Sequence, residues 1–149
     1  MALARISRLS TGRMAARDRV ERSGVELSRP ALTILAALRD AGPARPSALS
    51  RLTDLEPPLV SRELRGLVAG GYVRRSDDPT DRRAGIVELT EAGLDAWQAN
   101  RRATDEMLST TFDEWSSEEL ADLRRVLERI VVDYRATRVD VVGVAIPAH

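Results

Sequence analysis

Two arginines at helical spacing carry the clearest chemistry in this chain. Arg62 and Arg65 lie three residues apart, so that on a helix they share one side with Ser61. A guanidinium group is planar and forms bidentate hydrogen bonds with phosphate oxygens and with the edge of guanine. These residues therefore predict a helical face that is free to contact the bases and phosphates of DNA.

The residues around these arginines predict where the helix that carries them begins and ends. Glu56 can sit at the N-terminus, and Pro57 and Pro58 suit the first turn, where a missing N–H is harmless. Gly70 and Gly71 supply a left-handed stop at the far end. The apolar residues of this helix form one stripe on the side opposite the arginines: Val60, Leu64 and Leu67.

A shorter helix is predicted before it, from about Pro46 to Thr53, with Leu55 filling the turn between the two helices. Its apolar residues are expected to face inward: Ala48, Leu49 and Leu52. The second helix has a size that fits the major groove of B-form DNA. The residues predicted to face the DNA are Pro58, Leu59, Ser61, Arg62 and Arg65, and Leu59 is placed to touch a thymine methyl group.

A β-hairpin is predicted after this helix, because two short β-rich runs, 72–76 and 86–89, flank a polar loop. The loop places Arg82 and Arg83 near its tip, with Asp81 beside them. An arginine on a projecting loop suits the minor groove, where the negative potential is concentrated. The alternative is that these three residues only solvate a turn.

The order of these elements and the segment GGYVRRSDDPTDRRAGIVELTEAG resemble the MarR family of bacterial transcription regulators. The matching positions of the wing and the following helix are Asp78, Pro79, Asp81, Arg82, Arg83, Leu89, Thr90 and Gly93. The resemblance implies a mainly α fold with a small β-hairpin wing. It also implies a homodimer that binds a pseudo-palindromic operator in double-stranded DNA, usually represses transcription, and often releases the DNA when a small ligand binds. One departure is the pair Pro57 and Pro58, where relatives commonly carry polar residues.

Long helices are predicted on both sides of the winged helix. The first covers residues 2 to about 22, weakened only locally by Gly12, and the scaffold helix after it is capped by Ser28. Thr90 caps a helix that runs to about 110. A last helix begins at the capping box of Ser116 and Glu119 and carries one apolar stripe: Leu120, Leu123, Leu127, Ile130 or Val131, and Tyr134. A stripe of this length needs a partner, which predicts an obligate dimer.

If a small ligand binds, the sequence places it near Arg13, Arg17 and Trp97, where arginine beside an aromatic ring suits an anionic or aromatic molecule. Two alternatives stay open. The arginine side chains can instead cover a dimer seam with their charged ends in water. Trp97 can instead be a core or interface residue.

Length and composition set the remaining bounds. The 149 residues predict a single domain, with a winged-helix lobe at about 28–90, a dimerisation region at about 1–24 and 91–136, and a tail at 137–149. No apolar run is long enough to cross a membrane and the N-terminus has no secretory block, which predicts a cytoplasmic protein. Cysteine is absent and the lone histidine is His149, so the usual metal ligands and catalytic bases are missing.

We therefore expect no metal, no cofactor and no enzymatic activity. The formal net charge is zero, but residues 1–30 hold seven arginines against three acids and residues 86–149 hold seven against thirteen. Residues 45–85 hold eight arginines against six acids, a small excess for a DNA-binding lobe. The alternative function is thus a winged-helix module that binds other proteins and has no specific DNA binding.

Overall fold

The computed structural model describes residues 4–6, 8, 12–77 and 85–142. The chain divides into two compact units, residues 1–107 and 108–149. The elements in chain order are α1 Arg13–Ser23, α2 Arg29–Ala41, α3 Pro46–Thr53, α4 Pro57–Ala69, β1 Val73–Asp77, β2 Gly85–Leu89, α5 Glu91–Thr111 and α6 Ser117–Val142. The mainly helical fold with one hairpin is the predicted fold class, which is confirmed.

The core of the first unit lies where α2, α3 and α4 meet the hairpin. Its fully buried side chains are Ile34, Leu35, Leu38, Leu49, Val60, Leu64, Leu67, Val73 and Val87. The stripe predicted on α4 is therefore confirmed. One expectation is corrected. Leu52 is 56% exposed, because the two-turn helix α3 has Leu49 in the core position. Ile34 of α2 is fully buried because both α3 and α4 pack on that helix.

The prediction of one continuous helix over residues 2–22 is wrong at Gly12. Residues 4–6 and 8 are helical, and the Gly12 N–H donates to the Arg8 carbonyl at 3.0 Å. At Gly12 itself, however, ψ is 167°, so the backbone is extended and α1 starts anew at Arg13. The predicted end is confirmed, because Gly24 closes α1 in the left-handed conformation with φ 67°.

The hairpin is antiparallel, with a register that pairs Val73 with Leu89 and Asp77 with Gly85. A third short segment joins its outer edge: the Ala44 N–H donates to the Val87 carbonyl at 3.0 Å, and the Val87 N–H donates to the Ala44 carbonyl at 2.9 Å. Because Ala44 lies two residues before the start of α3, this bridge ties the hairpin to the start of the helix-turn-helix.

On the face of the hairpin opposite the core, Arg74 Nε donates to Glu88 Oε1 at 2.6 Å. These residues are directly opposite each other in the register, which is the geometry in which oppositely charged side chains stabilise a strand pair. The hydrogen bond from Arg74 lowers the pKa of the Glu88 carboxyl group, with the positive charge adding to the effect. The base of the wing is thus held by a charged cross-strand pair.

The junction between β2 and α5 explains the Leu-Thr-x-x-Gly segment. The Thr90 hydroxyl donates to the Gly71 carbonyl at 2.7 Å and accepts from the Gly93 N–H at 3.1 Å, so Thr90 both caps α5 and anchors its start to the end of α4. A Cβ atom at Gly93 would lie 2.1 Å from the Tyr72 carbonyl oxygen. Only glycine lets α5 approach the backbone this closely.

The second unit is built around α6. Its N-terminus is the predicted capping box, which is confirmed: the Ser116 N–H donates to Glu119 Oε2 at 2.8 Å, and the Glu119 N–H donates to Ser116 Oγ at 3.3 Å. The hydrogen bonds that the Ser116 N–H and hydroxyl donate to the Glu119 carboxylate lower the pKa of that group. The helix continues to Val142, past the predicted start of the tail, and residues 143–149 lie outside the described residues. Among the described helices, none has the length and hydropathy to cross a membrane.

Candidate nucleic-acid interface

The helix α4 is fixed to the protein by one side and presents its other side to solvent. Glu56 occupies the N-cap position with extended backbone and without a side-chain cap, and the two prolines fill the first turn as predicted. The predicted DNA-facing residues lie on one helix, where Pro58, Ser61, Arg62 and Arg65 are exposed and Leu59 is half-buried. This arrangement leaves a contiguous polar face for a partner.

A Schellman motif ends α4. The Tyr72 N–H donates to the Leu67 carbonyl at 2.9 Å and the Gly71 N–H donates to the Val68 carbonyl at 3.0 Å. Gly71 has φ 75°, so it is the left-handed residue, whereas Gly70 keeps right-handed helical backbone. At the other end, the turn from α3 uses Asp54 with φ 55°, a conformation that Asp tolerates better than most residues. The orientation of α4 is thereby set at both ends.

The two arginines of this face have different surroundings. Arg62 Nη2 donates to Glu63 Oε1 at 3.0 Å, while the other carboxylate oxygen, Oε2, accepts the Ser28 hydroxyl at 2.6 Å. Arg65 forms no ion pair within the part of the chain that the structure describes. Sequence reasoning missed Glu63, because its second partner is 35 residues away and only the fold brings Ser28 beside it.

A second positively charged feature lies between the start of α3 and the hairpin. Arg45, Ser47 and Arg75 line an open cleft there. Arg75 is paired with buried Val87, and directly opposed residues point to the same side of a hairpin, so its side chain lies on the helix-turn-helix side. The sequence already indicated this position, because adjacent residues of a strand point to opposite faces and Arg74 and Arg75 therefore lie on different sides of the hairpin.

The predicted wing contacts Asp81, Arg82 and Arg83 lie outside the described residues. The structure does describe the base of the wing, which leaves β1 at Asp77 and returns into β2 at Gly85. These two strand ends, Asp77 and Gly85, lie opposite each other in the register of the hairpin.

The predicted ligand-binding residues are distributed over two helices. Arg13 and Arg17 are exposed on α1, and Trp97 is half-buried on α5, where it packs against the core cluster. The guanidinium carbon of Arg39 lies 3.6 Å from the centre of the Trp97 ring, a cation–π contact. Within the described residues, no grouping of His, Cys, Asp and Glu could hold a metal ion.

Comparison with known proteins identifies the family. The sequence profile of the MarR family matches residues 25–84. An uncharacterized HTH-type transcriptional regulator of Mycobacterium leprae is 30% identical over 115 residues, which are 77% of this chain and 79% of that protein. A similarly described regulator of Mycobacterium bovis is 34% identical over 103 residues, which are 69% of this chain and only 65% of that relative's length.

The fold is similar to that of a mutant MarR from E. coli that was crystallised with operator DNA. The TM-score is 0.67 at 20% sequence identity, and the alignment covers 87% of this chain and 94% of that chain. Helix-turn-helix, hairpin and flanking helices therefore agree in order with that fold, and the Leu-Thr-x-x-Gly junction has a physical reason in this structure. The chain belongs to the MarR family.

Proposed function

We propose that this protein is a homodimeric, sequence-specific DNA-binding transcriptional regulator that acts as a repressor and is relieved by a small anionic aromatic ligand. The observation that carries the proposal is the exposed polar face of α4, set opposite a fully buried stripe. On this proposal Arg62, Arg65 and Ser61 contact base edges and phosphates in the major groove, and Arg83 with Arg82 reaches the adjacent minor groove.

The test is selection of duplex DNA from a random pool by the purified protein, followed by titration of the enriched sequence at rising salt. A dimeric regulator enriches one pseudo-palindrome with half-sites about one helical turn, ~10 base pairs, apart. Its affinity then falls steeply with salt as counterions are released from the phosphates. Failure to enrich any sequence would instead favour the protein-interaction module, with which the near balance of eight arginines and six acids over 45–85 agrees.

Dimerisation is supported by the surface of α6. No described residue of this helix is buried, and its apolar stripe, predicted from sequence, is exposed in the single chain. The exposed members include Leu120, Leu127, Ile130, Val131 and Tyr134. A stripe that runs along several turns of a helix is normally covered by another apolar surface. On the proposal, a second copy of the chain covers it.

A matched pair of substitutions tests this interface. Val131 lies on the stripe and is 49% exposed, whereas Val132 is 65% exposed and lies one position further round the helix, at the edge of the groove that the stripe lines. Val131→Ala removes two methyl groups from each subunit. Because a dimer would bury the exposed half of these groups, we expect self-association to weaken about tenfold. Val132→Ala removes the same atoms at the edge of the groove and should weaken self-association less than Val131→Ala. Sedimentation equilibrium measures both, and a wild-type chain that is monomeric at micromolar concentration would contradict the proposal.

The ligand site is proposed at Arg13, Arg17 and Trp97. The support is chemical: two exposed guanidinium groups on α1, together with an aromatic ring that already holds the positive charge of Arg39 against one face, suit a carboxylate on an aromatic ring.

We expect some member of a panel of aromatic carboxylates to dissociate the operator complex, as measured by fluorescence anisotropy of labelled DNA. The double substitution Arg13→Ala with Arg17→Ala should abolish the response. The matched control is Arg22→Ala on the same helix, whose guanidinium is paired with Asp18 at 3.1 Å and which should keep the response. If no carboxylate weakens DNA binding, or if the double variant responds like the wild type, this site is wrong.

A further inference from the structure

We propose that Glu63 is a positioning residue for DNA readout: its carboxylate holds one edge of the Arg62 guanidinium so that the opposite edge is presented, already oriented, to a guanine. This inference rests on the proposed function, because it concerns how Arg62 meets a base. It makes an acidic residue a determinant of sequence specificity, although acidic side chains repel the DNA backbone.

The contact is anchored at both ends. Glu63 Oε1 accepts from Arg62 Nε at 3.3 Å and from Nη2 at 3.0 Å. Glu63 Oε2 accepts the Ser28 hydroxyl at 2.6 Å, and Ser28 Oγ in turn accepts the Ala31 N–H at 3.1 Å as the N-cap of α2. Each carboxylate oxygen therefore has its own partner. Because Ser28 is the N-cap of α2, its hydrogen bond holds the Glu63 carboxylate independently of Arg62.

The exposed fractions of the two side chains agree with Glu63 as the anchor and Arg62 as the residue that contacts DNA. The Glu63 side chain is 13% exposed, whereas the Arg62 side chain is 68% exposed. Adjacent residues on a helix do not face each other, so Arg62 reaches Glu63 only by lying along the helix surface. The ion pair thus fixes the direction of a side chain that is otherwise in solvent.

The chemistry of the guanidinium group makes this arrangement useful. The group carries five N–H donors in a rigid plane. The contact with Glu63 uses the Nε–H and one N–H of Nη2, on one edge of the fork. The other edge, formed by Nη1 and Nη2, keeps a parallel pair of N–H donors, which matches the O6 and N7 acceptors of guanine. A long side chain that is already oriented also loses less rotamer freedom when it binds.

The sign of the effect separates this inference from simple electrostatics. A carboxylate near DNA repels the phosphates, so its neutralisation should tighten binding to any sequence. If Glu63 positions Arg62, its neutralisation should instead weaken binding to the operator. Arg65, which has no acidic partner among the described residues, serves as an internal comparison because its contribution should not depend on Glu63.

The experiment compares Glu63→Gln, Arg62→Ala and the double variant on the selected operator, on the operator with the contacted guanine replaced, and on random duplex. We expect Glu63→Gln to weaken operator binding about two- to tenfold while random-duplex binding stays equal or tightens. In the Arg62→Ala background, Glu63→Gln should cause no further loss. Arg62→Lys, which keeps the charge but lacks the second edge, should lose discrimination at the same base pair.

Three results would overturn the inference: operator and random duplex both tightening in Glu63→Gln, an unchanged operator affinity in that variant, or an equal loss in the Arg62→Ala background. Circular dichroism melting of each variant shows whether a loss of binding comes from unfolding, and Arg62→Lys does not touch the Ser28 contact. Failure of the proposed function looks different, because Arg62→Ala itself would then leave DNA binding unchanged. If Arg62→Ala weakens binding but Glu63→Gln does not, only the role of Glu63 is wrong.

Discussion

Replacing Arg62 or Arg65 with alanine should weaken binding to the selected operator by about 5- to 150-fold, which corresponds to the ~1–3 kcal/mol that a bidentate arginine–guanine contact contributes to discrimination. Both side chains are exposed on the face of α4 that the buried stripe leaves free. Loss of a base contact also relaxes the sequence preference at that position. Anisotropy titrations with the operator and with single-base variants measure both effects.

The same titrations separate base contacts from backbone contacts. Arg83→Ala in the wing should weaken binding with less effect on the choice of base in the major groove. If the side chain neutralises a phosphate, its loss should reduce the salt slope by about one. The control is Arg125→Ala: this residue lies on α6 in an exposed pair with Asp122 at 2.8 Å, and its removal should change nothing. Unchanged operator affinity in Arg62→Ala, Arg65→Ala and Arg83→Ala together would remove the proposed interface.

Gly93→Ala, at the junction between the hairpin and α5, should be strongly destabilising. The added Cβ would lie 2.1 Å from the Tyr72 carbonyl oxygen and 2.8 Å from Leu89 Cδ1. The carbonyl cannot withdraw at no cost, because it also accepts the Thr90 N–H at 3.1 Å. Overpacking against such a fixed group costs about 1–3 kcal/mol or more. For a chain of this length that lowers the melting temperature by roughly 2–12 °C.

Gly66 provides the matched control. A Cβ there meets no atom within 4 Å, and the residue is in the interior of α4 with helical backbone. Gly66→Ala should therefore stabilise the protein by about 0.5–1 kcal/mol, since alanine loses less backbone entropy in a helix. Thermal unfolding followed by circular dichroism compares the two variants. A Gly93→Ala protein that melts at or above the wild-type temperature would show that the approach of α5 to Tyr72 is not as close as the structure indicates.

Structural features that depend on residues three or four positions apart were predicted well from the sequence. The bounds of α4 follow from two prolines and a glycine stop, and the capping box of Ser116 and Glu119 forms the expected hydrogen bonds. The side of α4 that packs was also predicted correctly, because helical periodicity alone separates Val60 and Leu64 from the arginines. In each case the interacting groups are neighbours on one element, so spacing determines their geometry.

The errors occurred where local signals were balanced. Gly12 could weaken a helix or end it, and the extended backbone at that residue shows that it ends it. Leu52 and Leu49 both fit an apolar stripe, but a helix of two turns buries only the residue that meets the core. At such positions the packing of the folded chain outweighs the helix propensity of the individual residue.

The sequence by itself determined the order of the helices, the helix-turn-helix with its hairpin, and the side of α4 that is free to meet DNA, because caps, stops and periodicity are local properties. Tertiary structure alone decided that Glu63 meets Ser28 across 35 residues, that Val87 pairs with Ala44, and that Gly93 rests on the carbonyl of Tyr72. Those contacts join residues from different elements. Which of many chemically suitable partners is chosen depends on how the elements pack, and that information is not carried by the spacing within any one of them.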